Sequence, residues 1–267
     1  MVFGVYPQVR NPEHGLRAQR CAGKDVVVKI ADTDLGADAI RQESQALQAI
    51  AASDISGQAP KLIAEGRWYD YYIQLQEKAV GVSHKQAASL TDAHLNFLSK
   101  LSTIGRKVTP LKETRVWRDV EAMAKASCSK ALSHPIRIAL ERVLSDKFAN
   151  MPVVCHRTHG DFTPWNIKVN NGKLFVYDWE DSLSDGLALT DIFHFLYRQA
   201  SLVGPWLGAK PVLDQMADSA RSLTSLVGLG ELSATKFIES ILTAWMVQEY
   251  LNKPCEKIAE LASTLEP

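Results

Sequence analysis

The sequence predicts an α+β fold in two lobes: a small, mostly antiparallel β lobe carrying one helix, and a larger, mainly helical lobe. Two observations predict it. β-Branched and aromatic runs fill the first part of the chain, and helical periodicity takes over from about Ser83. The 267 residues suffice for two closely joined lobes with a sizeable core. The short connection Glu77–Gly81 is the natural boundary. It gives an N-terminal lobe over 1–78 and a C-terminal lobe over 79–267.

Taken in order, Leu16 to Ala22 and Asp25 to Ile30 flank Gly23-Lys24 and read as a hairpin. A helix follows from about Gly36 to Ala52. Gly66 to Gln76 returns to aromatic and β-branched residues, as one or two strands. Leu90 to Ile104, Val116 to Leu132 and Ile136 to Phe148 carry helical spacing. Ile167-Lys168-Val169 and Lys173 to Tyr177 are short strand-like pieces around Asn170-Asn171-Gly172, an Asn-Gly hairpin signal. After Asp191 the chain is helical nearly to its end, with Ile238, Ile241, Leu242 and Trp245 at helix spacing.

Composition excludes several classes of function. Hydrophobic residues make up 46% of the chain, which is too many for a disordered protein. Lys plus Arg equals Asp plus Glu at 30 each, so no general charge draws the chain to nucleic acid or anionic lipid. The four cysteines form no CxxC pair, which argues against a zinc site and a disulfide framework. The first residues lack the basic and apolar parts of a secretory signal. No run approaches the ~18 apolar residues of a membrane helix. The expectation is a cytoplasmic protein that binds neither nucleic acid nor membrane, with its oligomeric state open.

The chemistry is concentrated in His159-Gly160-Asp161-Phe162-Thr163-Pro164-Trp165-Asn166, with Asp178-Trp179-Glu180 following beyond the Asn-Gly hairpin. A hydroxyl is a poor nucleophile, and a phosphoryl group is screened by its own oxygens. The work is therefore positioning and charge neutralisation. Asp161 on a loop can hold an acceptor hydroxyl and take its proton. Asn166 offers a neutral oxygen to Mg²⁺, and Asp178 a hard carboxylate. The hairpin explains the spacing, since Asn166 and Asp178 flank its two arms. Singly, His-Gly-Asp is a turn and Asp-Trp-Glu a strand end; together, in this order, they point to phosphoryl transfer.

From Val153 to Phe195 the chain resembles the aminoglycoside phosphotransferase and choline kinase-like family, small-molecule relatives of the protein kinases. The resemblance implies a bilobal protein kinase-like fold that takes ATP or GTP with Mg²⁺ and phosphorylates a hydroxyl-bearing small molecule. It implies Asp161 as catalytic base and Asn166 and Asp178 as metal ligands. It makes His159 a structural member of the catalytic loop, and Asp191 a brace for that loop. Asp191 is equally a helix N-terminal acid favoured by the helix dipole, and the two roles are compatible.

The small lobe should then hold a lysine for the phosphates and an acid to orient it. Lys29 ends the run Val26-Val27-Val28 and faces one side of its strand. Glu43 lies on the helix stripe formed by Ile40, Leu47 and Ile50, where a carboxylate is costly unless paired. Lys29 is the expected partner; Arg41 or solvent at the edge of the stripe is the alternative. Gln76 and Lys78, at the end of the small lobe, complete the candidate nucleotide-binding set.

The phosphate-covering loop is a poor match: Asn11 to Gly15 has one Gly, a Pro and an acid, and there is no GxxxxGK. Glu180 either assists the metal or is a solvent-facing acid. Trp165 reads as packing. Arg198 to Tyr250 is the candidate acceptor region. It has no dense acidic patch for a polycation, so a sugar, an amino alcohol or a glycan intermediate is expected. Two alternatives stay open: a pseudokinase or nucleotide-sensing module, and a protein Ser/Thr kinase. No Asp-Phe-Gly or Ala-Pro-Glu supports the latter.

Overall fold

The structure is a computed structural model that describes residues 8–11, 16–20, 26–83, 90–126, 132–227 and 234–265. The elements begin with β1 (Gln8–Asn11), β2 (Leu16–Arg20), β3 (Val26–Ala31), α1 (Asp34–Ala51), β4 (Leu62–Trp68), β5 (Tyr71–Glu77) and β6 (Val82–Ser83). They continue with α2 (Asp92–Leu101), β7 (Lys107–Pro110), α3 (Arg115–Ala126), α4 (His134–Val143), α5 (Asp146–Ala149) and β8 (Pro152–Thr158). Then come β9 (Ile167–Asn170), β10 (Lys173–Val176), β11 (Leu183–Leu187), α6 (Thr190–Arg198), α7 (Ala209–Leu226), α8 (Ala234–Asn252) and α9 (Glu256–Thr264). Two compact units result, one from Met1–Gln86 with Pro164–Leu183, the other from Ala87–Thr163 with Ser184–Pro267. The turn at 21–25 and the candidate phosphate loop after Asn11 lie outside the described residues.

In the first unit, β1-β2-β3-β5-β4 form an antiparallel sheet, and central β3 places Lys29 opposite Ala18 on β2 and Gln74 on β5. The Thr33 hydroxyl caps α1 by accepting from the Gly36 N–H at 3.1 Å. Ile40, Ala46, Leu47 and Ile50 bury one face of α1, and Glu43 shares that face with no exposed surface. β4 and β5 meet at a turn where Tyr69 takes φ 52°.

Residues 164–183, distant in sequence, belong to this same unit. β9 and β10 form a hairpin with Asn170 opposite Lys173; Asn171 (φ 50°) and Gly172 (φ 74°) both take the positive φ of a type I′ turn. β9 pairs with β6, Val82 opposite Val169. Gly81 (φ 103°) makes that approach possible, because a Cβ there would lie 2.4 Å from the Val169 carbonyl oxygen. Lys168 donates to the Ala79 carbonyl at 2.6 Å and Gln58 to the Leu174 carbonyl at 3.1 Å. The domain line drawn at 78 in the sequence has no provision for this segment, whose partners lie a hundred residues away.

The second unit contains a sheet that helical periodicity does not reveal, ordered β11-β8-β7. β8 is buried on both faces through Val153 to Thr158, so its side chains show no alternation of apolar and polar. Helices make up the rest. The stretch from Ile136 to Phe148 is two helices, because Ser145 takes extended backbone (φ −69°, ψ 151°) and starts the single turn α5. α8 is buried nearly all round, through Phe237, Ile238, Ile241, Leu242, Trp245 and Met246. Phe97 and Phe162 stack at 5.9 Å, with Phe195 tilted against Phe162 at 5.8 Å, which anchors the segment after Asp161. Among the described residues, no helix is long and apolar enough to cross a membrane.

Candidate active site

In the first unit, four charged side chains converge. Lys29 Nζ lies 2.8 Å from Glu43 Oε2, 2.7 Å from Asp178 Oδ1 and 3.6 Å from Glu180 Oε2. β3 supplies the ammonium, α1 the first acid, and the chain beyond β10 the other two. Glu43 is further held through Oε1 by the Trp179 N–H at 3.1 Å and by Gln76 Nε2 at 3.5 Å. Arg41, the alternative partner for Glu43, instead pairs with Asp38 and stacks over the Tyr72 ring at 4.7 Å. Trp179 is fully buried and donates from Nε1 to the Val176 carbonyl at 3.0 Å. The acids on either side of it are thereby pinned to one place. Asp178 takes φ 71°, a left-handed conformation that costs a non-glycine residue about 1 kcal/mol or more.

The electrostatics follow from one buried ammonium among three carboxylates. Burial alone would lower the Lys29 pKa, but Glu43, then Asp178 and Glu180, outweigh it and push it well above the ordinary lysine range. Burial raises Glu180 to about 7; Lys29 opposes the rise, while Asp178, Glu43 and Asp181 add to it. The cluster therefore carries excess negative charge, which a cation relieves.

In the second unit, the loop after β8 is gripped by α6. Asp191 is buried, and its two oxygens accept from the His159 N–H at 2.9 Å and the Gly160 N–H at 3.0 Å. His159 is buried, and its Nδ1 accepts from the Asp161 N–H at 3.2 Å. Its ring meets Phe162 edge-on at 6.1 Å. Asp161 is partly exposed, and its Oδ1 lies 3.0 Å from His194 Nε2. Behind His194, Arg198 Nη2 pairs with Glu249 Oε1 at 2.7 Å, joining α6 to α8.

The remaining site residues divide between the units. Asn166 ends a short 3₁₀ turn, Pro164–Asn166, and is buried in the first unit. Its carbonyl accepts from the Tyr177 N–H at 3.0 Å, which ties the start of β9 to the end of β10. Gln76 is buried on β5, and Lys78 is half-buried just beyond it. Trp165 is only half-buried; Trp179 is the tryptophan that packs. Sequence reasoning missed His194 and the Arg198–Glu249 pair. A signal was present for the histidine, since it stands three residues after Asp191 and so on the same helix face.

The donor set suits a hard divalent cation. Asn166 has an amide oxygen and Asp178 a carboxylate, with Glu180 two residues on; all are oxygen donors of the kind Mg²⁺ takes. Among the described residues no cluster of His, Cys, Asp and Glu would hold a metal by itself.

Several solved structures share the fold. Choline kinase LicA from Streptococcus pneumoniae matches at 13% identity over 98% of this chain and 93% of its own, with a TM-score of 0.60. The amicoumacin kinase hAmiN, in complex with AMP-PNP, Ca²⁺ and Ami, matches at 12% over 98% and 86%, with a TM-score of 0.58. The aminoglycoside phosphotransferase APH(2")-IIIa, in its GDP and kanamycin complex, matches at 14% over 99% and 92%, with a TM-score of 0.57. No curated protein matches by sequence. The model of the phosphotransferase enzyme family, APH, matches residues 16–225, and the chain belongs to that family: it is a small-molecule phosphotransferase with an alcohol group as acceptor.

Proposed function

We propose that the protein transfers the γ-phosphoryl group of ATP or GTP to a hydroxyl of a neutral or weakly charged metabolite, a sugar, an amino alcohol or a glycan intermediate, in the cytoplasm. The observation that carries the reading is the buried Lys29–Glu43–Asp178 cluster. A buried ammonium fixed by one acid and shared with a second supports this reading, because phosphoryl transfer uses such a lysine for phosphate oxygens. Lys29 takes the phosphates, and Glu43 keeps Lys29 charged and aimed. Gln76 holds Glu43, and Lys78, just beyond the strand that carries Gln76, completes the nucleotide-binding set. Asn166 and Asp178 would hold Mg²⁺, which neutralises charge on the phosphates when bound.

Asp161 accepts the proton of the acceptor hydroxyl as its oxygen attacks phosphorus. His159 and Asp191 fix the loop that carries it. The structures similar to this chain include kinases whose complexes hold kanamycin or amicoumacin. The residues beyond Arg198 mix both charges, and Glu249 is already neutralised by Arg198.

The test is a γ-phosphate transfer screen with Mg·ATP and Mg·GTP against sugars, amino alcohols and aminoglycosides. Transfer to a neutral or singly charged acceptor, abolished by Asp161→Ala with nucleotide affinity retained, is the expected result. Near-normal turnover in Asp161→Ala refutes the base assignment. Nucleotide binding without any transfer supports the nucleotide-sensing alternative instead.

A further inference from the structure

We propose that His194 is a positioning residue for the reaction: its Nε2–H donates to Asp161 Oδ1 and fixes the carboxylate toward the acceptor. The inference rests on the assignment of Asp161 as base. Three observations within the second unit support it. The contact is 3.0 Å, and the His194 side chain is 9% exposed, so the donor side of the bond is shielded while the Asp161 carboxylate stays open on its other side. The same helix, α6, holds the loop twice. Asp191 fixes its backbone at His159 and Gly160, and His194, one turn on, fixes its reactive side chain. The histidine is itself enclosed by charge, with Arg198 Nε 3.3 Å from Nε2 and Glu249 Oε2 3.9 Å from Nδ1.

The proton on the ring can be assigned from these distances. Nε2 faces a carboxylate oxygen at 3.0 Å and a guanidinium N–H at 3.3 Å, and it cannot serve both. Donation to the ionised carboxylate is the shorter and charge-assisted choice. Arg198 keeps its Nη2 bond to Glu249 Oε1 at 2.7 Å, and the bond given up is the longer one from its Nε–H. The ring therefore carries hydrogen on Nε2. A carboxylate with one oxygen held by this donor has lost its rotational freedom. The acceptor proton then meets a base already in the geometry for attack.

The experiment combines turnover with a readout that does not depend on it. Turnover is phosphate release from Mg·ATP and Mg·GTP with water as acceptor, and transfer to choline, glucosamine and ribose. The expected result for His194→Ala is a fall in kcat of about 10- to 100-fold, with KM for nucleotide and acceptor changed less than about threefold. His194→Gln, whose Nε can donate from nearly the same place, recovers most of the loss. Asp161→Asn is inactive, and the double variant is no worse. In nitrogen-15 spectra of the wild type, His194 is protonated at Nε2, and Asp161→Ala shifts that signal. Wild-type kcat in His194→Ala, or an Nδ1–H tautomer, overturns the proposal, as does a Gln variant that melts like the wild type yet stays as slow as Ala. Turnover surviving in Asp161→Asn refutes the base assignment instead, whatever His194 does.

Discussion

Replacing Glu43 with glutamine keeps the shape of a side chain with no exposed surface, removes its charge and turns the oxygen facing Lys29 into an amide donor. The glutamine oxygen can still accept the Trp179 N–H, which lies 3.1 Å from Glu43 Oε1. What is lost is the ion pair at 2.8 Å between Glu43 and Lys29. At an effective dielectric of about 20, the gross attraction at that separation is about 6 kcal/mol. Lys29 keeps Asp178 at 2.7 Å, so part of its charge stays compensated. Removing one partner of a buried pair costs about 3–5 kcal/mol, and retention of Asp178 places Glu43→Gln near the lower figure. For a chain of this size that is a fall in melting temperature of roughly 6–12 °C. Urea unfolding followed by tryptophan fluorescence measures it, since Trp179 is adjacent and fully buried. The companion variant Lys29→Met with Glu43→Gln should be less destabilised than the sum of the two single changes. A Glu43→Gln loss below about 1 kcal/mol, or additive single changes, would show that the pair is not the element that holds this cluster.

Asp178→Ala should remove the Mg²⁺-dependent part of nucleotide affinity while the protein stays folded; calorimetric titration with and without Mg²⁺ checks this, and an unchanged Mg²⁺ effect contradicts the ligand assignment. His156 is buried beside the Arg157 carbonyl, and burial holds its pKa below the ordinary 6.5. The unfolded chain then binds the extra proton first, so this residue's contribution is complete above pH about 6.5 and is lost as pH falls toward its folded value. His156→Gln should flatten the stability profile between about pH 7 and 5, and an unaltered slope refutes the assignment. Gly186→Ala should cost about 1–3 kcal/mol by overpacking. Its Cβ would lie 2.2 Å from Thr158 Oγ1 and 2.6 Å from Cγ2 on the buried strand β8, and unchanged denaturant stability would contradict that geometry.

The parts legible in sequence were those in which a local rule had no competitor. An acid on an apolar helix stripe asks for a cation, and the structure puts Lys29 against Glu43. Asn-Gly between two short apolar runs asks for a hairpin, and β9 and β10 form one. The parts that were not legible depend on distant pairing. β8 is buried on both faces, which erases the alternation that marks a strand. The β6–β9 pairing joins residues 164–183 to elements nearly a hundred residues earlier, and nothing local announces it. His194 stood on the right helix face, but a lone histidine has no pattern. Only the folded loop shows that its ring meets Asp161.

The central claim is that this fold transfers a γ-phosphoryl group to a small-molecule hydroxyl through Asp161. The most direct measurement follows radiolabelled γ-phosphate from Mg·ATP and Mg·GTP into a metabolite panel, with the wild type and Asp161→Asn side by side. Label in a hydroxyl-bearing metabolite with the wild type, and none with a variant that still binds nucleotide, is the predicted result. Label transferred equally by both proteins, or by neither to any small molecule, would contradict the claim.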